Sequence, residues 1–278
     1  MARLIQSTVS AFVFLVATSV AAFADREAEL QRLNEILRLD ELFEIMAEEG
    51  DLYAVDLEEQ LFAGKGGDTW RKDVQEIYTS ARLKDSFWQM FSEALSDQTV
   101  SETLAFYDTD LGAKITDAEL LTRRSFLDPA VEEAASEIVE SMVREQDPFL
   151  VSLREYAKVN DLIDSNVVSS MNAQYAFMQG LIRGGAVDNS MTDSDILADI
   201  YNQEPVFRAD TMAWVMSFLA LAYQPLTESE LRDHIAFGRT ASGRQFNNAL
   251  FSSFDEVFKD VSEALGYAAA TYITSQDI

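Results

Sequence analysis

A ten-residue segment that occurs twice is the feature that most constrains the fold of this chain. The segment Ala105-Phe-Tyr-Asp-Thr-Asp-Leu-Gly-Ala-Lys114 reappears as Ala236-Phe-Gly-Arg-Thr-Ala-Ser-Gly-Arg-Gln245, with alanine, phenylalanine, threonine and glycine in register. In each copy, a threonine that can cap a helix is followed by a glycine that leaves room for a second helix. We predict that both copies form the same helix-turn-helix corner, carried by Phe106, Thr109 and Gly112 in the first copy and by Phe237, Thr240 and Gly243 in the second.

The sequence around the two corners is helical in its periodicity. Apolar residues recur at helical spacing from Glu27 onward, and no segment alternates like a strand over a useful length. A glycine stop, an apolar helix, a capping signal and the corner follow one another in the same order in both halves. We therefore predict an all-α fold, a helical bundle of about a dozen helices built from two degenerate repeats.

Helix starts are predicted from residues that can cap exposed backbone amides. In the first half, Ser96 or Thr99 is expected to open the short helix before the corner, and Thr227 is expected to do so in the second half. Further caps are predicted at Asp40, Asp68, Thr109 and Asp128.

The N-terminus has the form of an export signal. Arg3 is the only charge in the first 24 residues, an apolar run follows, and Ala22 and Ala24 are small residues before Asp25. We predict a signal peptide over residues 1–24, cleavage after Ala24 and a periplasmic or secreted protein. The apolar run is shorter than the roughly 20 residues that span a bilayer, so no transmembrane segment is expected after the signal is removed. Residues 25–147 and 148–278 are the two predicted helical repeats.

The charge of the chain limits its partners. Acidic residues outnumber basic ones by 48 to 21, giving a net charge of −27. Nucleic acid is therefore disfavoured, because its phosphates require lysine and arginine. The acidic excess favours solubility, which is the simpler interpretation, a cationic partner such as a basic envelope protein, or bound cations. The chain has no cysteine, which excludes disulfides and a lipid anchor on cysteine.

One acidic segment is a candidate docking face. Residues 39–64 contain nine acidic side chains and no lysine or arginine before Lys65. They lie mostly opposite an apolar stripe on the predicted helix, so a solvated face is the simpler interpretation. A functional interpretation is a salt-sensitive docking face for a basic partner. The residues proposed for it are Glu41, Glu44, Glu48, Asp51 and Glu58.

Catalytic and metal chemistry have little support in the sequence. His234 is the only histidine, and neighbouring Asp233 points about 100° away on a helix, so we predict a structural role for His234 at the edge of the core. Without cysteine, the usual zinc, haem, thiol and Ser-His-Asp sites are mostly closed off, and no cofactor or metal is predicted. Asp108, Asp110 and Glu119 match EF-hand positions, but Ala113 stands where that loop requires glycine.

The run from Trp214 to Tyr223 is apolar almost all round. At this length it does not cross a membrane, and it is expected to be a central helix buried on several sides. The alternative is that part of it lines a pocket for an apolar ligand or for a partner's helix.

The Phe-Tyr-x-Thr-x-x-Gly corner, preceded by a short capped helix and a phenylalanine-rich one, resembles domain of unknown function 2059. The resemblance covers about 60 residues around each corner, and the second copy departs from it at Gly238, where Tyr107 stands in the first. It implies a secreted or periplasmic helical protein and supplies no activity.

These observations favour a non-catalytic protein-interaction or scaffolding module of the cell envelope. Two alternatives remain open, a hydrolase that uses paired carboxylates and a carrier of an apolar ligand. The carrier predicts an enclosed apolar cavity of several hundred Å³, and the hydrolase predicts a deep cleft with at least two facing carboxylates of perturbed pKa.

Overall fold

The computed structural model describes residues 25–187 and 191–276, and helices make up 87% of them, with no strand among them. This confirms the predicted all-α class and the number of helices. The predicted signal peptide and cleavage site at residues 1–24 lie outside the described residues.

The helices follow one another with short connections. Residues 25–36 form α1. The others are α2 (Leu39–Phe62), α3 (Gly67–Ile77), α4 (Ser80–Ala94), α5 (Asp97–Tyr107), α6 (Asp110–Ser125), α7 (Pro129–Glu145), α8 (Pro148–Val159), α9 (Leu162–Arg183), α10 (Asp193–Ala222), α11 (Glu228–Gly238) and α12 (Ala241–Gln276). No helix of the described residues has the length and apolar content needed to cross a membrane.

Most of the predicted caps open helices. The Ser96 side chain accepts a hydrogen bond from Thr99 N at the start of α5, and Thr227 forms a reciprocal capping box with Glu230 at the start of α11. Asp128 caps α7. The caps predicted at Asp40 and Asp68 are wrong, because α2 follows Arg38 and α3 follows Gly66 without a side-chain cap.

The two corners have the same local hydrogen bonds. Thr109 Oγ1 accepts from Gly112 N at 3.0 Å and donates to Phe106 O at 2.7 Å. Thr240 Oγ1 accepts from Gly243 N at 2.8 Å and donates to Phe237 O at 2.7 Å. A Cβ atom on either glycine would lie within 2.4 Å of backbone atoms, so the turn requires glycine at both positions.

Contacts between the corners are reciprocal. Lys114 Nζ donates to both carboxylate oxygens of Glu230 at 2.8 and 2.9 Å. In the second corner, Gln245 is the counterpart of Lys114, and on the capped helix of the first half, Thr99 is the counterpart of Glu230. The Thr99 hydroxyl donates a hydrogen bond to Gln245 Oε1. Each corner therefore holds the first turn of the capped helix of the other half. The origin of the two halves by duplication remains a prediction.

A single hydrophobic core spans the predicted division between residues 147 and 148. Helix α12 packs along α9 and also contacts α3, α4 and α5. Its Phe254 contacts Phe43 and Phe87, with ring centroids 6.0 and 4.5 Å apart. The predicted boundary falls between α7 and α8, but the helices on its two sides share one core.

Candidate functional site

A cavity of about 260 Å³ lies among the helices that meet at the second corner, beside a second cavity of about 190 Å³. The walls come from the end of α5 and from α6, α8, α9, α10, α11 and α12. Seven residues line both cavities, namely Tyr107, Glu119, Arg123, Phe218, Phe246, Leu250 and Phe254. Trp214 also lines the larger cavity and is 39% exposed, so the cavity reaches towards the surface at this residue.

The larger cavity lies where the two corners differ in sequence. Tyr107 ends α5 in the first half, and the corresponding residue at the end of α11 is Gly238. Gly238 lines the cavity and has no side chain to occupy it. A Cβ atom there would lie 2.7 Å from Asn160 Oδ1. The departure of the second corner from the repeat pattern therefore lets α11 approach the end of α8 closely beside the cavity.

A cluster of polar side chains lies in the wall of this largely apolar cavity. The Tyr223 hydroxyl donates a 2.5 Å hydrogen bond to Glu119 Oε1. The Tyr223 ring lies edge-on to Tyr156, with centroids 5.1 Å apart. The hydroxyl groups of Tyr156 and Tyr107 lie 3.4 and 3.3 Å from His234 Nε2. Five helices, or their ends, thus bring together one carboxyl, one imidazole and three phenols.

Glu119 lacks a cationic partner. Burial raises the pKa of its carboxyl to about 7, an effect that the hydrogen bond from Tyr223 partly offsets. Arg123 lies one turn further along α6, but its guanidinium binds both carboxylate oxygens of Glu49, at 2.7 and 2.8 Å. Among the described residues, none forms an ion pair with Glu119. Because burial is not offset by a cation, the carboxyl is partly protonated at neutral pH.

His234 is part of the core, since only 3% of its surface is exposed. This corrects the prediction that it lies at the edge of the core. Burial lowers the pKa of its imidazole to about 3, so the ring is neutral at physiological pH. Its Nδ1 atom is buried without a hydrogen-bond partner. A buried polar atom left unpaired costs about 1–3 kcal/mol of folding stability.

The tyrosines serve as uncharged hydrogen-bonding groups. Burial raises the pKa of Tyr107, Tyr156 and Tyr223 well above the ordinary value, so their hydroxyl groups keep their protons. Among the residues that the structure describes, Glu119 is the only acidic one that lines either of the two cavities. Within the described residues, no three histidine or acidic side chains are grouped as a metal ion would require.

The residues predicted for the acidic docking face lie on α2 in different environments. Glu44, Glu48 and Asp51 are exposed. Glu41 is half-buried and pairs with Arg38. Glu58 is 6% exposed and accepts a 2.9 Å hydrogen bond from Gly67 N, so its inclusion in an exposed face is corrected.

The EF-hand spacing does not produce a calcium loop. Asp108 binds Arg32 at 2.7 Å, and residues 110–119 form the first turns of α6. The Glu119 carboxyl instead accepts the hydrogen bond from Tyr223 in the cavity wall.

Sequence reasoning missed the cavity cluster. Glu119, Tyr156 and Tyr223 belong to separate helices, and nothing in their local spacing links them. The available signals were the single histidine and the apolar run that ends at Tyr223.

One family of known proteins matches part of the chain. Residues 81–141 match the family described as "Uncharacterized protein conserved in bacteria (DUF2059)". This confirms the resemblance for the first corner, and the match does not extend to the second. The matched segment runs from α4 into α7 and contains Tyr107, Glu119 and Arg123. No curated protein and no solved structure matches the chain.

Proposed function

We propose that this chain, which carries a DUF2059 segment at residues 81–141, binds a small and mainly apolar molecule in the cavity beside the second corner. The observation that carries the proposal is the combination of an aromatic cavity with a buried polar cluster that has unused hydrogen-bonding capacity. This proposal corresponds to the carrier of an apolar ligand, one of the two alternatives that the sequence left open.

The size and walls of the cavity support this function. Ligand pockets commonly measure from about 300 to 1,000 Å³ and are lined by apolar groups with a few polar ones. The two adjoining cavities, of about 260 and 190 Å³, are together on this scale. Their walls include Phe218, Phe246 and Phe254, while the Glu119 carboxyl provides a polar anchor.

The same arrangement disfavours the paired-carboxylate hydrolase. Glycoside cleavage requires two carboxyl groups about 5–10 Å apart across the substrate. In the described part of the chain, Glu119 is the only acidic residue in the walls of the two cavities, and no described residue supplies a second carboxyl for such a mechanism there.

The proposed site of action is the periplasm or the exterior of the cell. This part of the proposal rests on the signal peptide predicted for residues 1–24. A ligand carrier with a net charge of −27 would also remain soluble at high concentration in such a compartment.

Two probes of equal shape test the proposed function. Tert-butylbenzene and phenyltrimethylammonium differ mainly in whether a carbon or a positive nitrogen carries the three methyl groups. Either probe should raise the midpoint of thermal unfolding, because a ligand that binds only the folded state stabilises it. Isothermal titration calorimetry then gives the stoichiometry, which is expected to be one.

A variant that fills the cavity provides the control. Leu250 lines both cavities, so Leu250→Trp should abolish the stabilisation by the probes. Leu121→Trp, on the exposed side of α6, should leave it unchanged. If Leu250→Trp does not fold, Phe218→Trp replaces it. Absence of binding by both probes to the wild-type chain would refute the proposed function.

The exposed part of the acidic segment supports a second candidate, the protein-interaction module. Glu44, Glu48 and Asp51 form no ion pair with other described residues. Nearby on α2, Leu52 and Val55 are 50% and 55% exposed. A surface that combines acidic and exposed apolar side chains fits a basic partner with apolar contacts.

A further inference from the structure

We propose that the ligand of the cavity is an organic cation, an amine or quaternary ammonium compound whose positive nitrogen pairs with Glu119. This inference rests on the proposed function and specifies its ligand class. It follows from the charge balance of the cavity and from the kind of rings that surround the carboxyl.

The Glu119 carboxyl has no counter-charge among the described residues. A carboxylate in an apolar environment is costly unless it is paired. The nearest arginine along α6, Arg123, is engaged with both oxygens of Glu49, which neutralises its charge. Tyr223 gives Glu119 one hydrogen bond but no charge. A cationic ligand would supply the partner that the described residues do not.

Aromatic rings surround the Glu119 carboxyl in the cavity wall. Tyr107, Tyr156 and Tyr223 all interact electrostatically with Glu119. Phe218 and Phe246 line both cavities with Glu119. The faces of aromatic rings attract cations, and aromatic cages are a recurring means of binding ammonium groups. A neutral apolar ligand would use the rings but leave the charge of Glu119 without compensation.

Within the described residues, no other titratable group of the site competes with a bound cation. The groups that face Glu119 are the three tyrosines, which are uncharged, and Arg123, which is bound by Glu49. His234 is the remaining basic group in the wall, and its burial keeps the imidazole neutral. The net charge of −27 also attracts cations and repels anions at a distance.

The decisive experiment compares the two probes by calorimetry at about pH 8. Phenyltrimethylammonium should bind wild-type protein at least about tenfold more tightly than tert-butylbenzene, because only the cation pairs with Glu119. In Glu119→Gln, this advantage should disappear while the affinity for tert-butylbenzene stays the same. Glu48→Gln removes one charge from an exposed position on α2 and should preserve the advantage, which controls for long-range attraction.

A second measurement needs no variant. At about pH 7, binding of the cation should release protons from the partly protonated Glu119, and binding of tert-butylbenzene should not. The release appears as a dependence of the binding enthalpy on the ionisation enthalpy of the buffer. This readout keeps the inference testable if Glu119→Gln does not fold.

The outcomes separate this inference from the proposed function. If tert-butylbenzene binds as tightly as the cation, or if Glu119→Gln keeps the advantage of the cation, the cation inference is overturned while ligand binding stands. If neither probe binds, both fall. Preferential binding of the cation with proton release supports both.

Discussion

The ring of Phe106 stacks on the ring of Phe237, with centroids 4.4 Å apart and planes 7° from parallel. The two residues hold the same position in the two corners. A contact between a residue and its own counterpart marks the local two-fold axis of a symmetric interface. The pairs Lys114 with Glu230 and Thr99 with Gln245 are exchanged around that axis.

We predict that the Phe106–Phe237 stack couples the two halves energetically. Phe106→Leu and Phe237→Leu should each lower the free energy of unfolding. The double variant should lower it by about 1 kcal/mol less than the sum of the two single effects. The measurement is chemical denaturation of the four proteins of the cycle. As a control, Phe106→Leu combined with Phe258→Leu should be additive within about 0.5 kcal/mol, because Phe258 has no ring contact with Phe106.

The pH dependence of stability should reveal Glu119. The pKa of this carboxyl rises from 4.5 in its ordinary state to about 7 in the folded protein. The folded state therefore binds the proton of Glu119 more tightly than the unfolded state does. The stability contributed by the protonated carboxyl is fully present below pH 4.5 and is lost as the pH rises through about 7. We expect Glu119→Gln to match wild type at about pH 5 and to be more stable by up to about 3 kcal/mol at about pH 8.5. An equal difference at both pH values would contradict this prediction.

His234 should act in the opposite direction. Its pKa falls from 6.5 to about 3 on folding, so its contribution to stability is present above pH 6.5 and lost as the pH falls towards 3. When the pH is lowered from about 7 to about 4, the free energy of unfolding of His234→Gln should therefore fall less than that of wild type. The difference should be at most about 3 kcal/mol. Urea denaturation at both pH values measures this difference. Ala236→Ser, an exposed change on the same helix, should behave as wild type.

The two kinds of acidic residue on α2 should respond differently to substitution. Glu58→Ala leaves Gly67 N without its hydrogen-bond acceptor and should cost about 1–3 kcal/mol. Glu48→Ala removes an exposed side chain and should change stability by less than about 0.5 kcal/mol. Thermal unfolding distinguishes the two, and equal midpoints would show that the contact with Gly67 contributes nothing.

The second candidate function has its own test. Combined reversal of Glu44, Glu48 and Asp51 to lysine should preserve the fold, because all three side chains are exposed. If this surface docks a basic envelope protein, capture of that protein at low salt should be lost in the triple variant and on adding salt to wild type. Unchanged capture by the triple variant would place the docking surface elsewhere.

Local features of the chain were determined by the sequence alone. The helical class follows from apolar spacing, and the starts of α6, α7 and α11 follow from Thr109, Asp128 and Thr227. These features depend on residues within one or two turns, so short-range rules describe them. The same rules failed at Asp40 and Asp68, where the chain enters the helix without a side-chain cap.

The environment of individual acidic and polar residues was decided by tertiary structure. Glu58 has the same residue type and helix as Glu48, yet one is buried against Gly67 and the other is exposed. Glu119, Tyr223 and His234 meet only because α6, α10 and α11 pack around one cavity. Sequence spacing sets which residues share a face of one helix, whereas the packing of several helices sets which faces meet and where space remains between them.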